Sequence, residues 1–318
     1  MSKAIIPFSI VIPLYNKETT VERALRSVFN QSVHDFEIIV VNDGSTDDGA
    51  TVVEAIDDPR VRLIHQKNQG VSAARNRGIA EAQYELIAFL DADDEWLPEF
   101  LATIIRLREK FPTCKVLGTQ YFFCSPDGQR RKAIIRGLPG GFSEGILVNY
   151  FDIASRSDPP LWTSAVSVEK KAIVEIGGFP VGIASGEDLL TWARLATKFQ
   201  MAYSKQPSAI HYNPQTVSDR PGRVPKMPDM VGIALKELLD TSDPETIPGI
   251  KAYIALWHRM RATIFIQCGN RSNALRELME AMRFASSSRL LSLFLIASLP
   301  GRFSSRVLIA IKKWKSDL

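Results

Sequence analysis

Along the first hundred residues, apolar and polar positions follow two alternating rhythms. Short, nearly unbroken apolar runs occupy Phe8–Leu14, 36–41, Val61–His65 and 86–90. Between them lie stretches with helical spacing: Val21, Ala24, Leu25, Val28 and Phe29 fall at i, i+3, i+4, i+7 and i+8, and Val52, Val53 and Ile56 repeat the pattern. Residues 71–82 form a third helical stretch, whose small Ala73, Ala74 and Gly78 permit close packing. Thr19 and Glu22 suit a capping box ahead of the first helix. Runs of this length alternating with helices predict a parallel sheet with crossover helices.

The polar residues are placed as tellingly as the apolar ones. Tyr15-Asn16, Asp43, Asn68-Gln69-Gly70 and the acidic run Asp91 to Asp94 each follow a predicted strand. In an open parallel sheet such positions converge on one edge, where these folds bind ligands. Turns after strands are polar in any case, so the argument rests on four clusters together rather than on one.

Beyond residue 115 the rhythm breaks. Residues 116–124 are apolar, Pro126-Asp127-Gly128 marks a turn, and 138–145 is rich in Gly and Pro, so 115–212 reads as irregular strands and loops suited to an acceptor. Arg220 to Pro228, with Pro221, Gly222 and Pro225, reads as a linker, and the chain beyond it reads as helical, including 250–267, 273–285 and a last segment ending in the basic tail. The expected division is a first domain over 1–225 and a helical C-terminal region over 226–318.

Composition narrows the classes. The formal net charge of +4 is accounted for by the last 17 residues, where Arg302, Arg306, Lys312, Lys313 and Lys315 face only Asp317. The balance before them argues against a nucleic-acid binder. Cys114, Cys124 and Cys268 are odd in number and lack metal-site spacing, which fits a reducing cytoplasm. The apolar run near the N-terminus holds Pro7 and Pro13 and reads as a strand rather than a leader. The run 290–299 stops at Pro300, short of a bilayer span.

Asp91 and Asp93 flank Ala92 at a strand end, so their carboxylates can reach out together while the small Ala92 leaves room for a ligand. Such a pair suits Mg2+ or Mn2+, with phosphate oxygens and water completing the shell. The alternative is an acidic loop capping the next helix, helped by Pro98. Likewise Tyr15 can simply pack, Asp43 can cap a helix and Arg75 can pair with an acid.

Val11-Ile12-Pro13-Leu14-Tyr15-Asn16, Val41-Asn42-Asp43-Gly44-Ser45-Thr46-Asp47, Gly70-Val71-Ser72-Ala73-Ala74-Arg75-Asn76, Phe89-Leu90-Asp91-Ala92-Asp93-Asp94, and Gly177-Gly178-Phe179 with Glu187-Asp188 occur in this order. Together they resemble the family 2 glycosyltransferases over roughly residues 8–215. The resemblance implies an α/β GT-A fold, a Rossmann-like open mixed sheet, with the helical region as a C-terminal extension. It implies that Pro13, Tyr15 and Glu18 line a nucleoside pocket, that Asp43 contacts the base, and that Arg75 approaches a diphosphate. Asp91 and Ala92 would meet the nucleotide-sugar, with Asp91 as a ribose or metal contact and Asp93 as the principal metal ligand.

The same resemblance makes Asp188 the general base for an acceptor hydroxyl and Glu187 its neighbour, although an isolated acidic pair before a helix is ordinary capping. His211 stands between completing the metal site and a purely structural role. Trp162 stands between stacking on an acceptor sugar and packing in the core. His34, His65 and His258 show no convincing partners. The implied reaction is a metal-dependent, inverting transfer of one sugar from a nucleoside diphosphate sugar, UDP favoured over GDP or dTDP, to a saccharide or lipid-linked saccharide acceptor. No Gln-x-x-Arg-Trp motif of processive synthases is present; Trp192-Ala193-Arg194 is not one. Expected cofactors are Mn2+ or Mg2+. Expected surroundings are the cytoplasm, with the segment 290–299 and the basic tail either resting on the anionic inner face of the cell membrane or forming a packed helix with a solvated end. The contrasting readings are an inactive sugar-nucleotide-binding or scaffolding protein of the same fold, and a nucleotidyltransferase. The latter should show a glycine-rich basic loop where Tyr15-Asn16-Lys17-Glu18 stands.

Overall fold

The computed structural model describes residues 6–213 and 224–299. It divides into two compact units, residues 1–219 and 220–318, a boundary six residues earlier than the pattern suggested.

The first unit is built on one mixed sheet. Its first half alternates β1 (Phe8–Leu14), α1 (Val21–Phe29), β2 (Phe36–Asn42), α2 (Gly49–Glu54), β3 (Val61–His65), α3 (Val71–Glu81) and β4 (Leu86–Phe89). The strands stand side by side as β3-β2-β1-β4, all parallel. Every residue of β1 is buried, as expected of a strand covered on both faces. Because β2 lies on one side of β1 and β4 on the other, chain direction across the sheet reverses at β1. The loops leaving β1 and β4 therefore diverge to either side of a crevice.

Helix α3 lies close to β1: a methyl at Gly78 would overlap Val11 Cγ1 and stand 3.0 Å from Cγ2. The capping box at Thr19 and Glu22 does not form. Helix α1 starts at Val21 without a side-chain cap, the Lys17 carbonyl accepts the amides of Thr20 and Val21, and Glu22 turns to Arg26 instead.

The second half corrects the expectation of irregular structure. After β5 (Glu95–Trp96) and α4 (Phe100–Lys110), the chain adds β6 (Val116–Cys124), β7 (Arg130–Lys132), β8 (Glu144–Ile146), α5 (Tyr150–Arg156), β9 (Val166–Glu169), α6 (Lys170–Glu175), α7 (Glu187–Lys198) and β10 (Met201–Tyr212). The sheet continues β4-β9-β6-β10-β5, so this segment completes the core rather than decorating it. The twelve-residue β10 escapes a pattern search because its register shifts around Ser204, Pro207 and Ala209, which breaks the period of two. The acids after β4 do not cap α4, since β5 intervenes and α4 has no side-chain cap.

The second unit contains α8 (Met230–Thr241), α9 (Ile247–Gln267), α10 (Arg271–Phe284) and α11 (Ser288–Ser298). Ala262, Phe265, Ile266, Ala274, Leu278 and Leu290 are among the residues of its own core. Helix α8 falls in the region expected to be helical, and His258, expected to be alone, is buried against Glu277 with its Nδ1 2.7 Å from Oε2. Among the described residues, no helix is long and apolar enough to cross a membrane. The basic tail at 302–318 and the first four residues of the expected linker, 220–223, lie outside the described residues.

Candidate active site

The loops that follow β1 and β2 are stitched to each other. Asn16 adopts a left-handed backbone (φ 51°), and its side-chain oxygen accepts from the Thr46 amide at 2.8 Å. Asp47 accepts the Glu18 amide at 2.9 Å, and Glu18 returns a carboxylate oxygen to the Asp48 amide at 3.0 Å. Glu18 thus anchors two loops together. Tyr15 remains 47% exposed and free to cover a flat ligand, whereas Pro13 is buried within β1.

Asp43, only 2% exposed, organises the loop after β3. One of its oxygens accepts from Gln66 Nε2 at 2.7 Å and the Gln69 amide at 2.9 Å, the other from the Gly70 amide at 2.8 Å. Gly44 beside it has φ 73°, and a Cβ there would stand 2.9 Å from the Asn68 amide nitrogen, so that turn requires glycine.

Arg75 was expected to approach a diphosphate. It projects from α3 into the interior, with Nη2 2.7 Å from Asp91 and Nη1 3.5 Å from Glu187, its side chain 4% exposed. Burial works against its charge, but Asp91 and Glu187, with Asp188 beyond them, hold its pKa above the usual value. One cation therefore joins the acidic loop after β4 to the first turn of α7. Next to it, Asn76 exchanges two 2.8 Å hydrogen bonds with the Phe179 backbone. A Cβ on Gly178 would lie 2.5 Å from the Asn76 side-chain oxygen, which gives the Gly177-Gly178-Phe179 motif a physical reason.

The four residues of the acidic loop have separate environments. Burial raises the Asp91 pKa, Arg75 opposes that, and the charges of Asp94 and Asp93 add to the rise. Ala92 is 2% exposed and packs with the core. Asp93 is 39% exposed and accepts the Lys17 ammonium at 2.6 Å. Asp94, 1% exposed, gathers Ser164 Oγ (2.6 Å) and Trp162 Nε1 (3.0 Å) on one oxygen, and His211 Nδ1 (3.0 Å) and the Tyr212 amide (3.2 Å) on the other.

His211 is thereby drawn to the acidic loop. Burial alone would lower its pKa, but the Asp94 hydrogen bond and the charges of Asp94, Asp93 and Asp91 raise it. Trp162 is held between Tyr121, stacked at 5.7 Å, and His211 at 4.3 Å, and is partly buried against the core. Glu187 is buried, while Asp188 is half-buried and one oxygen accepts the Leu189 amide at 2.7 Å.

Lys17, Arg23, Ser164 and Tyr212 were not singled out from the sequence. Arg23 lies with Cζ 3.8 Å above the Tyr212 ring and donates to the Asp93 carbonyl at 2.6 Å. A position three residues past the first strand was the only signal for Lys17. Nothing in the sequence marks a serine 73 residues away as the partner of the Asp91 amide.

Asp91 and Asp93 offer hard carboxylate oxygens and His211 an imidazole, donor types that a divalent cation takes, and Asp93 is paired with the Lys17 ammonium. Among the described residues, the group of acids and histidine whose ligand atoms already lie close enough to share a metal is Asp229, His258 and Glu277.

Residues 9–165 match the family model Glycosyl transferase family 2. Over 102 residues the chain is 37% identical to a GalNAc(5)-diNAcBac-PP-undecaprenol β-1,3-glucosyltransferase of Campylobacter jejuni, covering 31% of this chain and 33% of that one. The chain spans about a quarter to a third of the length of the curated relatives it matches. Among solved structures, S. aureus TarS 1–349 in complex with UDP-GlcNAc aligns with a TM-score of 0.69 at 16% identity, covering 98% of this chain and 92% of that one. The mannosyltransferase PcManGT of Pyrobaculum calidifontis, in complex with GDP-Man and Mn2+, aligns with a TM-score of 0.56 at 18% identity, covering 95% and 84%. These two likenesses bear on the fold, which is GT-A. Through residues 9–165 the chain belongs to the family 2 glycosyltransferases.

Proposed function

We propose that the protein transfers a single sugar, with inversion, from a nucleoside diphosphate sugar to an acceptor hydroxyl. The observation that carries this reading is the Arg75 bridge between Asp91 and Glu187, which sets the acidic loop beside the first turn of α7. Asp188, at that turn, takes the proton from the acceptor oxygen as it attacks the anomeric carbon. Asp91 and Asp93, with His211, would hold Mn2+ or Mg2+, which when bound supplies positive charge to the departing diphosphate. Lys17, already paired with Asp93, adds a mobile positive charge at the same place.

Tyr15 covers the base, and Asp43 accepts its ring N–H. Three of roughly four acceptor positions on Asp43 are filled, leaving one on the oxygen that bonds Gly70. UDP is proposed ahead of dTDP and GDP, whose thymine and guanine offer Asp43 the same kind of ring N–H as uracil. A lipid-linked saccharide acceptor is supported by the Campylobacter relative, whose name specifies one.

Replacement of Asp188 by Asn tests the assignment. Turnover of a UDP-sugar should fall at least ~100-fold while calorimetric donor affinity stays within about threefold, because a general base contributes on the order of 10²–10⁴ to rate. Wild-type turnover in that variant would remove the base assignment. A chain that binds donor with Mn2+ but turns over no acceptor in any variant would favour the scaffolding reading.

Peripheral membrane contact has its own support in the second unit. On α11 and just beyond it, Leu291, Leu295 and Leu299 are 57%, 61% and 40% exposed at a spacing of four, and the five basic residues of the tail follow in sequence. An apolar stripe next to clustered Lys and Arg suits an anionic bilayer surface. Co-sedimentation with vesicles containing anionic lipid, lost at high salt and in a Leu291→Asp/Leu295→Asp variant, is the expected result; equal recovery with zwitterionic vesicles would exclude the charge term.

A further inference from the structure

We propose that two exposed cations of the β6–β7 hairpin, Arg130 and Lys132, bind the diphosphate of a lipid-linked acceptor at the rim of the transfer site. The inference rests on the glycosyl-transfer reading above and deepens it, assigning residues of this chain to the acceptor rather than to the donor.

Between Asp127 and Glu144 the chain carries Arg130, Arg131, Lys132 and Arg136 and no acid. All four are exposed. Arg131 is paired with Asp158, 2.7 Å from its Nη1, and Arg136 donates to the Arg156 carbonyl at 3.3 Å. Among the described residues, no carboxylate pairs with Arg130 or Lys132. Strand β7 pairs with β6 alone, and charge on an edge strand discourages pairing with another chain. Edge protection asks for charge of either sign, however, whereas this run has one sign in a chain whose acids and bases balance before residue 302.

The run is held firmly. The Ile134 amide donates to Asp158 Oδ2 at 2.9 Å, the Asp158 amide to the Ile134 carbonyl at 3.0 Å, and the Arg136 amide to Ser157 Oγ at 2.7 Å. The segment after β7 is thus fastened to the loop that leads into Trp162, so little backbone freedom is lost when a ligand binds. Arg130 and Lys132 are alternate residues of one strand, on one face and about 7 Å apart at their backbones, which suits two adjacent phosphates better than one. Arginine and lysine hold such oxygens as a fork and as a point charge. Ile134, 49% exposed, follows them and offers apolar surface to a lipid.

Strand register places the hairpin beside the site. Arg131, Phe123 and His211 are cross-strand neighbours, as are Arg130, Cys124 and Tyr212, so β7 lies about 10 Å from the end of β10 that meets the acidic loop. Side chains bridge that gap: Arg131 Cζ is 4.2 Å from the centre of the Phe123 ring, which lies 5.7 Å from the His211 ring. The Tyr212 phenol, pushed up to about 12 by burial and its Glu95 hydrogen bond, feels the opposing charges of Arg23 and Arg130. Burial and the charges of Asp158 and Asp188 push the Tyr121 phenol up, and Arg131 opposes them. One phenol therefore feels both the hairpin and the proposed base.

The test uses geranyl diphosphate as the probe, titrated calorimetrically with UDP and Mn2+ filling the donor site. The wild-type protein should bind it, and Arg130→Ser/Lys132→Ser should weaken binding about 10- to 100-fold, as expected for the loss of charge-assisted hydrogen bonds. UDP affinity should be unchanged in that variant, and Arg130→Lys/Lys132→Arg, which keeps both charges, should retain the probe. Unchanged probe affinity in the serine variant would overturn the proposal; if recovery on phosphatidylglycerol vesicles were lost at the same time, the hairpin would be a membrane contact instead. A parallel loss of UDP affinity would also overturn it, by placing these cations on the donor phosphates. Wild-type protein that binds UDP with Mn2+ but not the probe would overturn this inference and spare the transfer reading, whereas failure to bind UDP would remove both.

Discussion

Arg75 Nη2 stands 2.7 Å from Asp91 Oδ1, an ion pair that joins the third helix to the loop after the fourth strand and reaches on to Glu187. Removing one partner of a buried ion pair costs far more than the pair contributes net, because the remaining charge stays desolvated. Arg75→Met should therefore destabilise the first unit by about 3 kcal/mol, near the low end of that range because the Asp91 side chain is 24% exposed. Urea unfolding measures it, and a change below ~1 kcal/mol would mean that water already compensates Asp91 and Glu187. Turnover should fall as well, since Asp91 and the first turn of α7 lose their common anchor.

Gly78 and Val11 set how closely α3 approaches β1. A methyl at Gly78 would overlap Val11 Cγ1. Alanine gains about 0.8–1 kcal/mol over glycine in a helix, whereas overpacking costs roughly 1–3 kcal/mol, so the packing term should win. Gly78→Ala is expected to lower the melting temperature. In a Val11→Ala background the same change should become neutral or stabilising, and an unchanged penalty there would disprove the contact.

The second unit is pinned by a buried polar group. Arg261 Nε lies 2.8 Å from Glu277 and 3.3 Å from Asp229, Glu277 also meets His258, and Asp229 accepts the Gly232 amide at the start of α8. The ligand atoms of Asp229, His258 and Glu277 are close enough for a metal, but Arg261 already supplies the cation between the two acids. Glu277→Ala should loosen this unit by about 3–5 kcal/mol, read as increased proteolysis within α8–α10. Unchanged protection there would show that the apolar core alone holds the helices.

Local pattern gave β1 and β3 their boundaries, because both are short apolar runs bounded by turn residues. It also identified 116–124 as an apolar run, without showing that it becomes a central strand. β10 was hidden because a register shift disrupts the alternation on which strand reading depends.

The candidate site divides along the same line. The one-dimensional order determined that Asp43, Asp91, Asp93 and Asp94 follow strands, and hence that they gather at one sheet edge, since strand direction fixes which end each loop occupies. Only the tertiary structure decided that Asp94 serves His211, that Arg75 turns inward, that Lys17 meets Asp93 and that His258 has a partner. Hydrogen bonds and ion pairs depend on separations of a few ångströms, and these pairs are formed by residues up to 117 positions apart in the chain. Local composition carries no record of such distances; the packing of the sheet sets them.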